Sequence, residues 1–349
     1  MRMTKTYKEP PSKGCVTVSP DLQTDADIIE DDIFRCGARL LPLLLLDHAT
    51  GENIIWATED YAALGEAYEP GAPIEAALIT GAHARTIQPR IVKSHADQVA
   101  RTKDKAEVFT PSWLCNIQNN LLDESWLADG SVFNAPNSDG WQTSSRPIRF
   151  RKETTTSTRT AWQRYVSAPR LEAACGEAPY LASRYDTTTG DVIPVQDRIG
   201  LFDRKLRVVS EHTTTEARWH LFARRACKSI YGYEYQGDNL LLARENLLWT
   251  YLEHFAAKFD HAPGEAQLEE IADVIAWNLW QMDALTQRVP YHITQRTWTE
   301  TNLLGETIRH VEADTSMQRP CVLRDWRTGA VIEYRSLLQK HAPHGGESS

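Results

Sequence analysis

Residues 171–180 read Leu-Glu-Ala-Ala-Cys-Gly-Glu-Ala-Pro-Tyr, and this stretch decides the predicted fold. A short apolar strand ends near Glu172. Gly176 lets the backbone turn without hindrance from a Cβ atom, and Pro179 suits the first turn of a following helix. Free N–H groups at a helix start can bind ligand oxygen, whereas Glu172 can accept hydrogen bonds from a ligand ammonium group. The stretch therefore predicts a strand-to-helix turn around a small anionic or zwitterionic ligand.

A second strand, acid and helix follow along the chain. Residues 230–234, Ile-Tyr-Gly-Tyr-Glu, form a β-type run that ends in an acid, and a long helical pattern covers Asn239 to Phe259. A carboxylate at the end of the second strand of a doubly wound sheet can accept hydrogen bonds from both ribose hydroxyls. Glu234 is therefore a candidate ribose ligand, although a solvated acid at a strand end has the same pattern.

Two further segments complete the pattern. Residues 106–113 read Ala-Glu-Val-Phe-Thr-Pro-Ser-Trp, in which Thr110 and Pro111 also suit the start of a helix over Trp113 to Leu122. Residues 274–285 read Val-Ile-Ala-Trp-Asn-Leu-Trp-Gln-Met-Asp-Ala-Leu and predict a third strand with an acid at its end.

In this order, the four segments resemble the cofactor half of the S-adenosylmethionine-dependent DNA adenine-N6 methyltransferases of restriction-modification systems. The resemblance covers roughly residues 106–285 and includes the subunit M type. It implies an α/β fold with a Rossmann-like class I methyltransferase sheet, and S-adenosylmethionine as the cofactor. Residues 109–111 match the family's Phe-Thr-Pro motif, in which the Thr hydroxyl and nearby backbone meet the methionine carboxylate.

The resemblance also implies the other cofactor contacts. Glu172 would face the methionine ammonium and Glu234 the ribose, with Tyr235 stacked on the adenine. Asp283 would accept a hydrogen bond from the exocyclic amine, and Leu285 would cover the ring. The predicted cofactor-binding residues are Phe109, Thr110, Pro111, Glu172, Cys175, Gly176, Glu234, Tyr235, Asp283 and Leu285.

The catalytic motif of the family, Asn or Asp followed by Pro, Pro and an aromatic residue, is not found in its expected place. The nearest downstream stretch is Arg288-Val289-Pro290-Tyr291, but a guanidinium has only donors and cannot accept the protons of the target amine. A stretch near the N-terminus, Glu9-Pro10-Pro11-Ser12, would require a permuted chain. No catalytic residue is therefore assigned.

The remaining chain predicts an N-terminal α+β region over residues 1–100 and a methyltransferase-like domain over residues 101–349. Strands are expected at Ala38 to Leu46 and Asn53 to Ala57, joined by a turn at residues 48–51. A second hairpin is expected at Cys321 to Trp326 and Ala330 to Tyr334. Residues 134–159 are expected to form a loop, and residues 186–216 an added excursion within the sheet.

Composition limits the functional classes. The net charge of −9 argues against a generally basic nucleic-acid coat, although basic residues precede two of the predicted cofactor segments. These are Arg85, Arg90, Lys93, Arg101, Lys103, Lys105, Arg146, Arg149, Arg151, Lys152 and Arg159. Six cysteines without Cys-x-x-Cys pairs disfavour a zinc site or disulfide framework and fit a reduced compartment. With no signal peptide or membrane span in the pattern, a cytoplasmic protein is expected.

Three functions remain open at this level. The first is an active DNA adenine methyltransferase that acts on double-stranded DNA in a restriction-modification or phage-defence system. The second is a catalytically silent cofactor-binding subunit that needs a partner, such as a restriction or specificity subunit. The third is a metal-dependent nuclease, because Asp203-Arg204-Lys205 has Asp-x-Lys spacing, although no metal site is predicted.

Overall fold

The computed structural model describes residues 26–93, 110–152, 157–291, 294–301, 307–314 and 319–341. Its α-helices are α1 (Glu30–Cys36), α2 (Leu40–Leu45), α3 (Ser112–Asp123), α4 (Ala161–Val166), α5 (Leu201–His212), α6 (Glu216–Cys227), α7 (Gly237–Phe259), α8 (Glu265–Asn278) and α9 (Tyr334–His341). Its strands are β1 (Asn134–Asn137), β2 (Gly140–Thr143), β3 (Arg170–Ala173), β4 (Ile230–Glu234), β5 (Leu279–Gln281), β6 (Thr294–Thr301), β7 (Thr307–Asp314), β8 (Val322–Arg324) and β9 (Val331–Glu333).

A parallel three-stranded sheet with the order β3-β4-β5 lies at the centre of the fold. Glu172 is paired with Gly232, and Glu234 is paired with Gln281, so the carboxyl ends of the strands lie along one edge. Parallel neighbours require crossover connections, which here contain helices. The protein is thus a mixed α/β protein with a parallel sheet, as the sequence predicted at this level.

The two faces of the sheet are covered differently. Helices α7 and α8 contact β4 and β5 on one face, where Ile230 and Leu279 are fully buried. Trp280 on the other face belongs to a smaller apolar cluster with Cys321 and Leu323 of the C-terminal hairpin. The alternation of side chains along a strand explains this division. The sheet is therefore an interior layer between helices and the β8–β9 hairpin.

One apolar core joins the N-terminal region to the sheet and its helices. It includes Ile33 and Trp56 from the first hundred residues and Trp219 and Tyr251 from α6 and α7. The buried Arg244 of α7 also links the two parts. Its guanidinium donates to the backbone carbonyls of Leu46 (3.0 Å), in the N-terminal region, and Leu279 (3.0 Å), on β5. Such a buried guanidinium needs several acceptors, and the backbone supplies them.

Several sequence predictions hold at the level of single elements. The predicted helices at Trp113 to Leu122 and Asn239 to Phe259 correspond to α3 and α7. The predicted C-terminal hairpin is β8–β9, which turns at residues 325–330. Asp47 N also bonds to the Glu52 carbonyl (2.8 Å) across the expected N-terminal turn.

Other predicted elements are wrong. The predicted strand Ala38 to Leu46 contains helix α2, because its Leu-rich run packs against α8 rather than pairing as a strand. Residues 274–278 end helix α8, so the third strand begins only at Leu279. Pro179 does not open a helix; Ala178 before it has a left-handed φ of 62°, and the next α-helix begins at Leu201.

Two segments expected to be irregular carry structure. Residues 134–159 include the β1–β2 hairpin. The expected excursion at residues 186–216 contains α5, whose Phe202 and Leu206 lie in the main core. This insertion is therefore part of the fold's interior. None of the described helices is both long and apolar enough to cross a membrane.

Candidate functional site

Two carboxylates meet where the neighbouring strands β3 and β4 end. The Glu172 carboxylate accepts hydrogen bonds from the Leu181 (3.2 Å) and Tyr180 (3.4 Å) N–H groups. Burial raises the pKa of Glu172 to about 8; the two backbone N–H groups oppose this shift and the nearby Glu234 charge adds to it. A carboxyl group with such a pKa is largely protonated near neutral pH, and a cationic ligand beside it would favour its ionised form.

Glu234 braces the turn that follows β3. Its Oε2 accepts a hydrogen bond from the Gly176 N–H (2.8 Å), and its Oε1 accepts from Tyr235 (2.9 Å) and Gln236 (3.2 Å). Burial raises the pKa of Glu234, opposed by these three N–H groups. Gly176 has a φ of 53°, a left-handed conformation that favours glycine. The Glu234 carboxylate therefore links the end of β4 to the turn that follows β3.

Thr110 lies beside Tyr180, whose backbone N–H donates to Glu172. The Tyr180 hydroxyl lies close to the Thr110 hydroxyl and the Cys115 thiol; burial raises the pKa of Tyr180, and the Thr110 hydroxyl opposes that shift. The Cys115 thiol is buried and feels the charge of Glu172, both of which raise the pKa of Cys115. Pro111 directly precedes α3, in line with the predicted helix start. The predicted motif residue Phe109 lies outside the described residues.

Asp283 lies past the end of β5, near Tyr235. Its Oδ1 accepts a hydrogen bond from the Leu285 N–H (2.8 Å), and its backbone N–H donates to the Arg288 carbonyl (2.9 Å). Burial raises the pKa of Tyr235 to about 12, and the charges of Tyr291 and Asp283 add to this. The ring of Tyr235 lies 6.3 Å from that of Tyr291. Asp283 thus caps a tight turn beside an aromatic pair.

Leu285, in the turn after β5, is 94% exposed. Cys175, in contrast, is buried beneath the turn after β3, and a Cβ placed on Gly232 would lie 3.3 Å from its sulfur. Desolvation raises the pKa of the Cys175 thiol well above its usual range. Cys175 is therefore an apolar packing residue below the candidate site.

The N-terminal region contributes a contact that the sequence did not predict. The Gln281 amide on β5 exchanges hydrogen bonds with the backbone of Ile55, at 2.9 Å and 2.8 Å. The Gly237 N–H at the start of α7 donates to the Trp56 carbonyl (2.9 Å). Residues 55 and 56 therefore cover the first turn of α7, whose N–H groups would otherwise be free to bind an anion. No motif in the sequence marks this contact.

The Asp203-Arg204-Lys205 triplet does not assemble a metal site. Asp203 contacts His254 and Ser183, whereas Lys205 Nζ donates to the Ser229 hydroxyl (2.5 Å). Arg204 binds the Asp123 carboxylate at 2.9 Å. The three side chains lie on α5 and serve separate buried networks. Among the described residues, no group of three or more His, Cys, Asp or Glu side chains could hold a metal ion.

Sequence reasoning missed Tyr180 and Cys115 as neighbours of Glu172. Tyr180 ends the quoted stretch of residues 171–180, and Cys115 lies five residues after Thr110. Neither position fixes the direction of the side chain. In the candidate catalytic stretch at residues 288–291, Arg288 forms β-bridges with Asp283 and Pro320, and the Val289 N–H donates to the Arg319 carbonyl (3.1 Å). The alternative stretch at residues 9–12 lies outside the described residues.

The basic residues that precede two of the predicted cofactor segments differ in their surroundings, and Arg101, Lys103 and Lys105 lie outside the described residues. Arg146, Arg149, Arg151, Lys152 and Arg159 are exposed. Arg90 and Lys93 are instead partly buried. The backbone N–H of Arg90 donates to Glu177 (2.7 Å), and Lys93 pairs with Asp238 (3.3 Å). Comparison with models of protein families, with curated protein sequences and with solved structures finds no match.

Proposed function

We propose that the chain binds S-adenosylmethionine at the carboxyl ends of β3, β4 and β5 and belongs to a DNA adenine-N6 methylation system. The observation that carries the proposal is the placement of Glu172 beside Glu234 at adjacent parallel strand ends. Ligands of open α/β sheets bind in the crevice at these ends. Thr110, whose hydroxyl lies beside that of Tyr180, would meet the methionine carboxylate.

Each acid has a distinct role in this proposal. Glu172, with its raised pKa, would become ionised when it binds the methionine ammonium. Glu234 uses three hydrogen bonds internally, and an ionised carboxylate offers about four acceptor positions. It would therefore bind one ribose hydroxyl while keeping the turn in place. Asp283 and Tyr235 would lie beside the adenine, since they flank the next strand end.

The same geometry predicts a proton release on cofactor binding. The pKa of Glu172 is raised to about 8, so at pH 7 most molecules hold a proton there that an ammonium ligand would displace. Titration calorimetry with S-adenosylmethionine at pH 7 in two buffers of different ionisation enthalpy should show release approaching one proton per site. Glu172→Gln should abolish that release and weaken binding by about 1.5 to 3 kcal/mol.

The exposed Glu124 provides a matched control, because Glu124→Gln removes a carboxylate on the surface after α3. It should leave both affinity and proton release unchanged. Absence of any binding by the parent chain would end the proposal. Glu234→Ala is a less direct test, because it also removes the brace on three backbone N–H groups, so its binding loss should be read beside its thermal unfolding.

Catalysis by the isolated chain is expected to be slow or absent. Arg288 stands where an amine acceptor is expected and offers only donors, and loss of one preorganised contact typically lowers the rate by roughly 10² to 10³. A partner that carries the acceptor would then complete the enzyme on double-stranded DNA. Radiolabelled methyl transfer to DNA adenine by the purified chain tests this.

Three outcomes of the binding and transfer assays would separate the alternatives. Transfer that Glu9→Ala abolishes would establish a permuted enzyme with its catalytic loop at residues 9–12. Robust transfer that survives Glu9→Ala would show that another residue accepts the amine protons. Cofactor binding without transfer would favour the silent subunit that needs a partner.

A further inference from the structure

An open cavity lies far from the strand ends, near the other end of α7. Its volume is about 570 Å³, within the usual range for small-molecule sites. The last turns of α7, the middle of α5, the turn at residues 195–198 and the chain after β2 form its walls. Helix α7 begins beside Glu234, and at 1.5 Å per residue His254 lies roughly 25 Å further along it. The cavity is therefore separate from the proposed cofactor site.

An oriented histidine lines this cavity. His254 is 6% exposed, and its Nε2 lies 3.0 Å from Asp203 Oδ1. Asp203 is itself fixed, because its Oδ2 accepts from the Ser183 N–H at 2.9 Å. An ionised carboxylate accepts only, so Nε2 carries the proton. Within the described part of the chain, Nδ1 has no hydrogen-bond partner, and it is not sealed from solvent.

Positive groups surround the same space. Lys258 Nζ donates to the Ser210 carbonyl at 3.0 Å, which uses one of its three donors. Arg198 pairs with Glu253 at 2.6 Å, and its Nη1 lies 3.9 Å from Asp203 Oδ1. That Nη1 is buried without a hydrogen bond to any residue that the structure describes. Arg207 also lines the cavity, and the acids there are Asp197 and Asp203.

Hydrogen bonds join the walls of the cavity to one another. Arg207 Nη2 donates to the Ser144 carbonyl at 2.7 Å, which holds the chain after β2 against α5. Trp141 Nε1 donates to the Asp197 carbonyl at 2.8 Å and holds β2 against the turn at residues 195–197. A preformed cavity lowers the ordering cost of binding.

We propose that this cavity binds a small oxyanion, a sulfate, phosphate or carboxylate group, through His254 and Lys258. Once protonated, the imidazole of His254 donates through both nitrogens: Nε2–H to Asp203 and Nδ1–H to the anion. Asp203 keeps the imidazolium oriented, Lys258 adds a second charged donor at the mouth, and Arg198 adds positive charge from behind. The spare donors at the cavity need an acceptor, which an oxyanion supplies.

Sulfate is the appropriate probe, because it remains a dianion from pH 5 to 9. The full-length chain with isotope-labelled histidine would be titrated with sodium sulfate, using sodium chloride at equal ionic strength as the reference. The His254 ring signals, assigned through His254→Gln, should shift and saturate. Sodium acetate in a parallel titration shows whether a carboxylate is also accepted.

Matched variants sharpen the test. Lys258→Gln should weaken sulfate binding roughly two- to fivefold, as expected for an exposed charged contact. Ser145→Trp, at an exposed wall position, should block the cavity and abolish the saturable shift. Lys152→Gln removes an exposed charge that does not line the cavity and should change nothing. A linear, non-saturating response at pH 6, or equal losses in the two lysine variants, would overturn the proposal.

Discussion

Glu30 shows how one buried acid makes stability depend on pH. It is 1% exposed at the start of α1, and no described residue forms a hydrogen bond to its Oε2. Burial raises the pKa of Glu30 to about 8, and the charges of Asp27 and Asp31 add to the shift. Burial and the charge of Glu30 also raise the pKa of Glu245 on α7, and the charge of Arg184 opposes this shift. The cluster therefore favours protonated acids in the folded state.

The sign of the pH effect follows from proton binding. An unfolded chain loses the Glu30 proton near pH 4.5, whereas the folded chain keeps it until about pH 8. Between these values the folded state binds more protons, so stability falls as pH rises, by at most about 1.4 kcal/mol per pH unit for each group. Glu30→Gln should remove this contribution and stabilise the fold at pH 8 by at least about 1.4 kcal/mol.

Urea unfolding between pH 5 and pH 8.5 measures this difference. The exposed Glu59 offers a control, because Glu59→Gln changes a surface carboxylate and should leave the pH profile of the parent chain intact. A Glu30→Gln profile as steep as that of the parent would show that the Glu30 carboxyl is not protonated in the fold.

At the scale of elements, the start of α7 depends on a glycine. A Cβ on Gly237 would lie 2.0 Å from the Ile55 carbonyl oxygen, a contact that only backbone movement could relieve. Gly237→Ala should therefore destabilise the protein by about 1 to 3 kcal/mol, the usual range for overpacking. Thermal or urea unfolding measures the loss, with Gly71→Ala as control, since a Cβ on Gly71 meets nothing within 4 Å. Equal stability of the two variants would contradict the close approach.

The elements that sequence predicted correctly have strong local signals. Helix α7 has a long helical pattern, and the C-terminal hairpin turns at an Arg-Thr-Gly sequence. The strand β3 and the acid Glu172 also followed from local chemistry. The errors arose where tertiary packing decides: the leucines of α2 suit a helix or a strand, and burial against α8 selects the helix.

The candidate site was predictable only in part for the same reason. Glu172 and Glu234 could be placed at strand ends from the pattern of strands and acids. The contact of Ile55 with Gln281 spans most of the chain, and no local pattern marks it. Side-chain partners, such as the three N–H groups bound by Glu234, depend on the turn geometry after β3.

At the scale of the whole molecule, the N-terminal region and the sheet share one core. Trp56 is fully buried with Tyr61 and Tyr68, whose rings lie 4.6 Å and 5.3 Å from it, and Gly237 of α7 bonds to its carbonyl. Trp219 on α6 belongs to the same cluster. Because this core contains residues from both sides of residue 100, the N-terminal region should not unfold separately from the sheet and its helices.

We therefore expect one cooperative unfolding transition. Trp56→Phe removes a buried fluorophore from the N-terminal part of the core. Trp219→Phe, in a separate variant, removes one from the helices that pack on the sheet. Their urea midpoints by tryptophan fluorescence should each coincide with the midpoint by far-ultraviolet circular dichroism, because two-state unfolding gives the same curve for every probe. Each replacement should lower stability by roughly 1 to 3 kcal/mol. Separate fluorescence and circular dichroism midpoints would instead show that residues 26–93 form a folding unit of their own.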